Sequence, residues 1–586
     1  MNQKKKQTTI KLKNSWIATQ STTARNDEFR QRNIFLTTLL ITVLGIFISS
    51  NQLFALNLTP QQEQTLKSSE YNPGSLLMQK MQELQRYRTE QEAVKMKENS
   101  SIEEDTKTEN TKEEAPNITV KVEKLEIPDS EVLSRDELDQ ISDKYSDKVL
   151  SISDLYEAIE EINKLYAKKG YITACAVLPP QKIENNIVKI MLLEGKIGQV
   201  LVENNKKTKT AYIKRFLNIP EGIVPNVNKI RRKIQKFNNT NKTLLQIKMV
   251  AGEKPMTTDF YIVAIEPKKH NTFNIFTDNS GSESSGKYRY GLSYSNTNLS
   301  GHCDIFNLTS MYSKTSGTNM LSYNTPIGFN GDRVSFSHNA NNMRVSKGYM
   351  KDLDVRGKSR NTSLTYYHPV LTRADLKNDI IFDIQKQKSS TTILGNEFAI
   401  DRDTRYSIAY SSMIIKKNNI FYFKPTYIYN KHRNIDNDHF NGERITLETM
   451  WQKYLKQGNI TSLRVSTQKD LGDKISSTDQ YYLGGQYSVR GYHENVIGGE
   501  SGVNVKFDYS FRTKKKGLNF VTFFDWGKLS GETILSTKEI YSAGFGFDYQ
   551  YKNLYLTIYT GYPLKREIGN NRIDKKITHF TLNYSF

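Results

Sequence analysis

Two short motifs near the carboxyl end of the chain each combine one charged residue with a nearby glycine. The first is the Ser488–Tyr492 segment, which contains Val489, Arg490, Gly491 and Tyr492, and the second is Phe524, Asp525, Trp526 and Gly527. A guanidinium fork matches a carboxylate in two-point contact, and adjacent glycines let backbones approach closely. Arg490 follows Leu483-Gly484-Gly485 in a stretch without alternation, which predicts a long loop. Asp525 lies near the end of the largely apolar stretch from Leu518 to Trp526, which predicts a strand. In this strand the side chain of Asp525 would point to the face opposite to that of Phe524 and Trp526.

Catalytic and metal-binding patterns are missing from the sequence. The segment from Gly281 to Lys287 has the spacing of a phosphate-binding loop, but Tyr288 follows where Ser or Thr is required, and the next segment reads as a strand. We interpret it as a hairpin turn. Neither a nucleophile elbow nor a zinc-binding helix motif occurs, and the 8 histidines are scattered. We predict no enzymatic activity, no catalytic residue, no metal and no cofactor.

The composition is basic without pointing to nucleic acid. The formal net charge is +21, but the lysines are dispersed and no nucleic-acid motif occurs, so we predict no nucleic-acid partner. The 2 cysteines, Cys175 and Cys303, fall in different predicted domains and do not predict a disulfide or a metal site. An apolar fraction of 37% is compatible with a membrane barrel, because only alternate residues of a barrel strand face lipid.

Alternating segments separated by turn residues run from about residue 270 to the end of the chain. In Val503 to Arg512 and in Tyr541 to Gln550, aromatic and aliphatic residues share one face and polar residues the other. Segments of about ten residues suit strands that cross a bilayer, whereas strands of a soluble sandwich are shorter on average. The last segment alternates in the same way and ends in Phe586, as in a closing barrel strand. We predict a transmembrane antiparallel β-barrel, with a soluble sandwich as the alternative.

The residues before the barrel divide into five segments. The apolar run from Ile34 to Ile48 follows three arginines and predicts a secretory signal with cleavage near Ala55; an uncleaved anchor or a downstream start codon are the alternatives. A turn at Asn72 to Gly74 precedes a helix with a narrow apolar side of Leu77, Met81 and Leu84. A charged linker follows, and then the order strand, helix, helix, strand, strand occurs twice. The predicted boundaries are 1–55 signal peptide with a long n-region, 56–96 helix region, 97–116 flexible linker, 117–197 first small α+β domain, 198–268 second small α+β domain, and 269–586 barrel.

The first small domain contains a further series of motifs, which consists of Gly170 and Tyr171, then Leu178, Pro179, Pro180 and Gln181, and then Glu194 and Gly195. This series, followed by the Val-Arg-Gly-Tyr loop, the Phe-Asp-x-Gly strand and a terminal Phe, resembles the TpsB transporters of two-partner secretion, or hemolysin secretion/activation proteins of the ShlB/FhaC type. The resemblance implies two POTRA domains and an outer-membrane barrel of 16 strands. It also implies that the N-terminal helix plugs the lumen, that the loop folds back into the barrel, that Arg490 pairs with Asp525, and that Phe586 serves as a barrel-assembly signal.

The resemblance also implies a function. The POTRA domains would bind an unfolded exoprotein, such as a hemolysin or an adhesin, in the periplasm, and the barrel would pass it outward without nucleotide hydrolysis. Outer-membrane lipid and the barrel-assembly machinery would be the other partners. The alternatives are a barrel-assembly factor of the BamA type and a passive porin. The Arg490–Asp525 pair could brace the barrel or act directly in transport.

Overall fold

The computed structural model describes residues 72–100, 119–348, 350–472 and 474–586. The predicted signal segment, residues 1–55, and most of the predicted linker lie outside the described residues. The helices are α1 (Pro73–Ser100), α2 (Arg135–Tyr145), α3 (Ile152–Lys169), α4 (Thr210–Leu217) and α5 (Val227–Thr240). In the described parts of the chain, no helix is long and apolar enough to cross a membrane.

The strands before the barrel are β1 (Thr119–Val122), β2 (Lys124–Glu126), β3 (Lys148–Ser151), β4 (Ala174–Val177), β5 (Ile187–Lys189), β6 (Met191–Glu194), β7 (Lys196–Glu203), β8 (Leu244–Ala251) and β9 (Thr257–Ile265). The later strands are β10 (Asn271–Asp278), β11 (Arg289–Asn296), β12 (Ile305–Tyr312), β13 (Ser316–Pro326), β14 (Arg333–Arg344), β15 (Arg356–Thr372), β16 (Leu376–Ile393), β17 (Asn396–Lys416), β18 (Asn419–Arg433), β19 (His439–Tyr454), β20 (Ile460–Asp470), β21 (Tyr481–Leu483), β22 (Ile497–Arg512), β23 (Leu518–Thr533), β24 (Glu539–Tyr551), β25 (Leu554–Pro563), β26 (Glu567–Ile568), β27 (Asn571–Arg572) and β28 (Ile577–Ser585).

The start of α1 differs from the sequence-based prediction. Asn72 caps the helix: its Oδ1 accepts hydrogen bonds from the backbone N–H groups of Gly74 at 2.8 Å and Ser75 at 3.1 Å. Proline suits the first helical position because it has no N–H to leave unpaired. The predicted turn at Asn72 to Gly74 is therefore the first turn of the helix. At its other end α1 continues to Ser100, so the first residues of the predicted linker are helical.

The first unit, β1 to β6 with α2 and α3, packs both helices on short strands around one apolar core. Leu138 and Ile141 of α2 and Ile162 and Tyr166 of α3 are buried there. Strand β3, between the two helices, pairs with β1 and does not follow from the predicted order. It is only four residues long, too short to give a readable alternation.

The second unit holds a three-stranded sheet in the order β7-β9-β8, covered by α4 and α5. It touches the barrel directly. Arg333 at the start of β14 donates from Nη1 to the carbonyl of Thr240 at 3.0 Å, and Asn239 donates to the carbonyl of Arg373 at 2.6 Å. These contacts define the near end of the barrel, beside the second unit, and the opposite rim is its far end.

The barrel is closed and antiparallel and has 16 strands, β10 to β20, β22 to β25 and β28. It closes through β10, which pairs with β11 and with β28. The short β21 belongs to the long connection between β20 and β22 and pairs with the far end of β22. Alternation sorts the side chains: Phe382 and Ile384 of β16 face outward and are exposed, whereas Gln385 and Gln387 face inward and are buried.

Candidate functional site in the barrel lumen

The connection between β20 and β22, described over residues 471–472 and 474–496, folds back into the barrel. Its Leu483, Val489 and Tyr492 form an apolar cluster with Ile497 and Ile540 of the wall. All three loop residues are completely buried. A loop that buries its side chains in this way has a defined position in the lumen.

Arg490 makes a bidentate contact with Asp525 of β23. Its Nε donates to Oδ2 and its Nη2 to Oδ1, both at 2.7 Å, and the backbone N–H of Arg490 donates to Oδ2 at 2.9 Å. Asp525 is 0% exposed, since it faces the lumen while Phe524 on the outer face is 45% exposed. The loop and the barrel wall are thus joined by three hydrogen bonds to one carboxylate.

Two further wall residues complete the surroundings of Arg490. Asp508 of β22 lies 2.6 Å from Nη2, and the ring of Phe523 lies under the guanidinium, 3.7 Å from its centroid. Lys506 donates to the carbonyl of Gln486 at 2.7 Å and so holds a second point of the loop. Two carboxylates and an aromatic face therefore surround one buried cation.

The neighbours of Arg490 fix the approach of the loop. Gly491 has φ +91°, and a Cβ there would lie 2.9 Å from the backbone carbon of Gly561 on β25, so only glycine fits. Gly527 likewise faces Leu483, whose Cδ1 would be 2.8 Å from an added Cβ. The hydroxyl of Tyr492 donates to the carbonyl of Lys565 at 2.8 Å, and the carbonyl oxygen of Tyr541 lies 3.0 Å from the same hydroxyl. The loop motif residues and Asp525 and Gly527 of β23 thus meet at one site, whereas Phe524 faces outward.

Helix α1 lies inside the barrel and contacts both the wall and this loop. At the far end, Asn72 donates to Ser477 at 2.9 Å. Two turns further on, Gln79 donates to Glu494 at 3.0 Å and accepts from Asn495 at 2.8 Å. At the near end, Glu90 pairs with Arg464 at 2.8 Å, and Glu92 pairs with Lys377. A helix of 28 residues is about 42 Å long and spans the lumen.

The middle of α1 carries charges against the wall. Lys80 donates to Thr318 at 2.7 Å, and Glu83 lies 3.3 Å from Arg289, which also forms a bidentate pair with Asp278. Of the predicted apolar side, Leu77 is fully buried and Met81 lies beside Asn339, whereas the side chain of Leu84 lies outside the described residues. The helix is therefore held in the lumen by polar contacts more than by an apolar core.

The motif residues of the first unit have structural contacts. Gly170 ends α3 with φ +88° and accepts from the N–H of Val227 at 2.9 Å, which joins the first unit to the second. Leu178 and Tyr171 pack against the apolar core, and Pro179 and Pro180 lead to Gln181. The Gln181 side chain pairs with both the N–H and the carbonyl of Lys189 at 2.8 Å.

Glu194 joins three segments of the first unit. It accepts hydrogen bonds from the hydroxyl of Tyr166 at 2.7 Å, from the N–H of Glu131 at 2.9 Å and from Ser130. Burial raises the pKa of the Tyr166 phenol, so it stays a donor. A Cβ on Gly195 would lie 3.2 Å from the carbonyl of Thr173. This motif series therefore builds the unit and its junction and does not form an open site.

The terminal Phe586 lies just past β28. Its N–H donates to the carbonyl of Phe273 at 2.8 Å, next to the seam at which the barrel closes, and its side chain is 42% exposed. Around Arg490, sequence reasoning missed the wall residues Lys506, Asp508 and Phe523. These residues lie on the inner face of strands that the sequence predicts, so the alternation of each strand could have shown that their side chains point into the lumen. The position of the loop decides which of the inner residues meets Arg490.

Comparisons with known proteins agree with this architecture. The family described as haemolysin secretion/activation protein ShlB/FhaC/HecB matches residues 258–549, and the ShlB-type POTRA domain matches residues 120–195. The heme/hemopexin transporter protein HuxB of Haemophilus influenzae is 22% identical over 471 residues, 74% of this chain and 82% of the relative. The outer membrane transporter CdiB of Dickeya dadantii is 21% identical and covers 65% of this chain and 68% of its own length.

The solved structure of CdiB from Escherichia coli has the same fold. It superposes with a TM-score of 0.67 at 17% identity and covers 88% of this chain and 99% of its own. CdiB from Acinetobacter baumannii gives a TM-score of 0.62 at 18% identity. The two family matches, the similar transporters and the POTRA-plus-barrel architecture all indicate the same family. This chain belongs to the haemolysin secretion/activation family of two-partner secretion transporters of the outer membrane, with its POTRA region on the periplasmic side of the barrel.

Proposed function

We propose that this transporter binds one dedicated exoprotein, unfolded, in the periplasm and passes it through the barrel lumen to the cell surface without hydrolysing nucleotide. The observation that carries the proposal is the polar lumen filled by α1. A barrel of 16 strands is wide enough for an aqueous channel, and here that space holds a helix bound by side chains such as Lys377 and Arg464. Water can solvate these groups when the helix leaves, so its displacement opens a path.

The second unit supplies a surface for an extended segment of cargo. Strand β8 pairs with β9 and, among the described strands, with no other, so one of its edges is open. Met249 and Val250 near its end are 40% and 39% exposed. An open edge with apolar side chains suits strand addition, in which backbone hydrogen bonds give affinity without requiring a folded partner.

The proposed capture is tested with variants of this edge. Met249→Asp together with Val250→Asp should reduce the amount of exoprotein crosslinked to the transporter, because charges on an edge oppose pairing with an apolar segment. Ile223→Asp is the control, since Ile223 is 46% exposed in the same unit but belongs to no strand. Equal loss in both variants would contradict a specific role of β8.

The transport step is tested in cells and in vesicles. Deleting the transporter should remove one large species from the cell surface or medium and leave other barrels assembled; a broad loss of outer-membrane proteins would favour an assembly factor. Purified transporter in proteoliposomes should pass the unfolded exoprotein without added nucleotide. A requirement for ATP would refute nucleotide-independent transport while leaving the cargo assignment intact.

A further inference from the structure

The outer wall of the barrel carries two adjacent rows of cations toward its far end. In one row Arg360, Lys388, Arg402 and Arg433 lie directly opposite one another on the neighbouring strands β15 to β18. In the row below, Lys386 and Lys431 alternate with Thr362 and Thr404. His338 and His439 end the rows. We call these eight charged or titratable side chains the basic belt.

The basic belt lies at the border of the lipid-facing surface. On β16, Ile384 faces outward two residues before Lys386; on β18, Tyr429 faces outward two residues before Lys431. Each strand thus changes from apolar to cationic side chains along the same outer face. The second unit contacts the opposite, near end through Arg333 and Arg373, so the belt lies at the cell-surface border of the membrane.

The arrangement is unfavourable without an anion. Like charges directly opposite one another on neighbouring strands destabilise a sheet. Within the described residues, Lys386, Lys388, Arg402 and Arg433 form no ion pair, because Asp401 and Asp403 of β17 alternate to the inner side. Glu443, which faces outward below the belt, accepts a hydrogen bond from Tyr427 at 2.9 Å. The excess positive charge is therefore local to this patch.

An open groove of about 500 Å³ runs along the belt and is lined by Arg360, Lys386, Lys388, Arg402, Lys431 and Arg433. Arginine and lysine side chains arrayed around a groove suit phosphate oxygens, which arginine binds in two-point contact. We propose that the basic belt binds the phosphate groups of a phosphorylated glycolipid of the outer leaflet, with the acyl chains lying against the apolar outer face that begins at Ile384 and Tyr429. The phosphates would neutralise the row and fix the barrel in the outer leaflet.

The test compares lipid binding by the full chain and two variants. The belt variant carries Lys388→Gln, Arg402→Gln and Arg433→Gln; the control variant carries Lys416→Gln, Lys417→Gln and Lys453→Gln, which are exposed residues at the near end of β17 and β19. Native mass spectrometry in detergent would measure binding of diphosphoryl lipid A, dephosphorylated lipid A and phosphatidylglycerol. A cation near a lipid surface contributes about 1 kcal/mol, so the belt variant should bind diphosphoryl lipid A about a hundredfold more weakly than the wild type and the control.

The outcomes separate the sources of phosphate. Preference for diphosphoryl lipid A over both other lipids, lost in the belt variant alone, supports the proposal. Equal binding of phosphatidylglycerol, lost in the same variant, would overturn the glycolipid assignment, and unchanged binding by the belt variant would overturn the site. A second readout needs no lipid. Because the belt variant removes repulsion, its unfolding temperature in lipid-free detergent should be at or above that of the wild type; a lower value would overturn the repulsion argument.

Discussion

Replacing Arg490 with alanine should release the loop between β20 and β22 from the barrel wall. The substitution removes three side-chain contacts to Asp525 and Asp508 and the cation–π contact with Phe523. Asp525 is completely buried, so it would lose its two-point partner and keep only Lys506, opposite it on β22, as a neighbouring cation. Removing one partner of a buried pair typically costs about 3–5 kcal/mol. A cost of about 4 kcal/mol shifts the equilibrium between docked and released loop about a thousandfold.

Hydrogen exchange of the loop amides measures this shift directly. In the Arg490→Ala protein, amides of residues 484–496 should exchange up to about a thousandfold faster, while those of the barrel strands keep their protection. The protein should still be inserted in the outer membrane, because the sixteen-stranded closure does not depend on the loop. Unchanged exchange of the loop would refute the inference that this pair holds it.

Secretion separates the two roles proposed for the pair. Faster loop exchange with impaired secretion by the inserted barrel indicates a role in transport, whereas faster exchange with normal secretion indicates bracing alone. Arg490→Lys is the graded control, because lysine keeps the charge and loses the two-point contact. Exchanging Arg490 and Asp525 would restore part of the activity if the pair acted in isolation. The structure predicts little recovery, because an aspartate at position 490 would lie beside Asp508 and an arginine at position 525 opposite Lys506.

Four further predictions concern the helix, the loop glycine and the first POTRA unit. Deleting residues 56–96 should raise single-channel conductance in a planar bilayer, with secretion largely kept, because α1 fills the lumen; unchanged conductance would exclude it from the pore. Lys377→Gln should increase the frequency of open-channel events through loss of the contact with Glu92, whereas Lys453→Gln on the outer face should not. Gly491→Ala should release the loop as Arg490→Ala does, because Cβ meets the backbone of Gly561; Gly395→Ala, with a similar φ of +85° and open space around it, separates this clash from backbone strain. Hydrogen bonds from Lys169 and Ser134 lower the pKa of Glu137 to about 2. The ionised side chain therefore stabilises the fold above the unfolded pKa of about 4.3, and this stabilisation is lost as the pH falls toward 2. The difference in unfolding midpoint between the wild type and Glu137→Gln should shrink when the pH is lowered from 7 to 3.

The sequence by itself determined the kind of protein and most of its elements. In segments such as Val503 to Arg512, apolar and polar residues alternate, which shows which side chains face lipid. Successive side chains of a strand point to opposite faces, and the outer face of a barrel strand must be apolar. The same rule placed Asp525 in the lumen. Helix α3 was readable from the spacing of Leu155, Ile159 and Ile162 and from the glycine at its end, since helix periodicity and capping are local properties.

Tertiary structure decided what the loop and helix residues meet. Asp508 and Phe523 became partners of Arg490 because a long loop returns to the wall at that depth, and loop trajectories depend on distant contacts such as Gly491 against Gly561. Asn72 caps α1 through local hydrogen bonds, but only the fold shows that its amide also reaches Ser477 of the loop. The basic belt was invisible in the sequence for the same reason. Its cations are up to 73 positions apart, from Arg360 to Arg433, and only strand register brings them into one row.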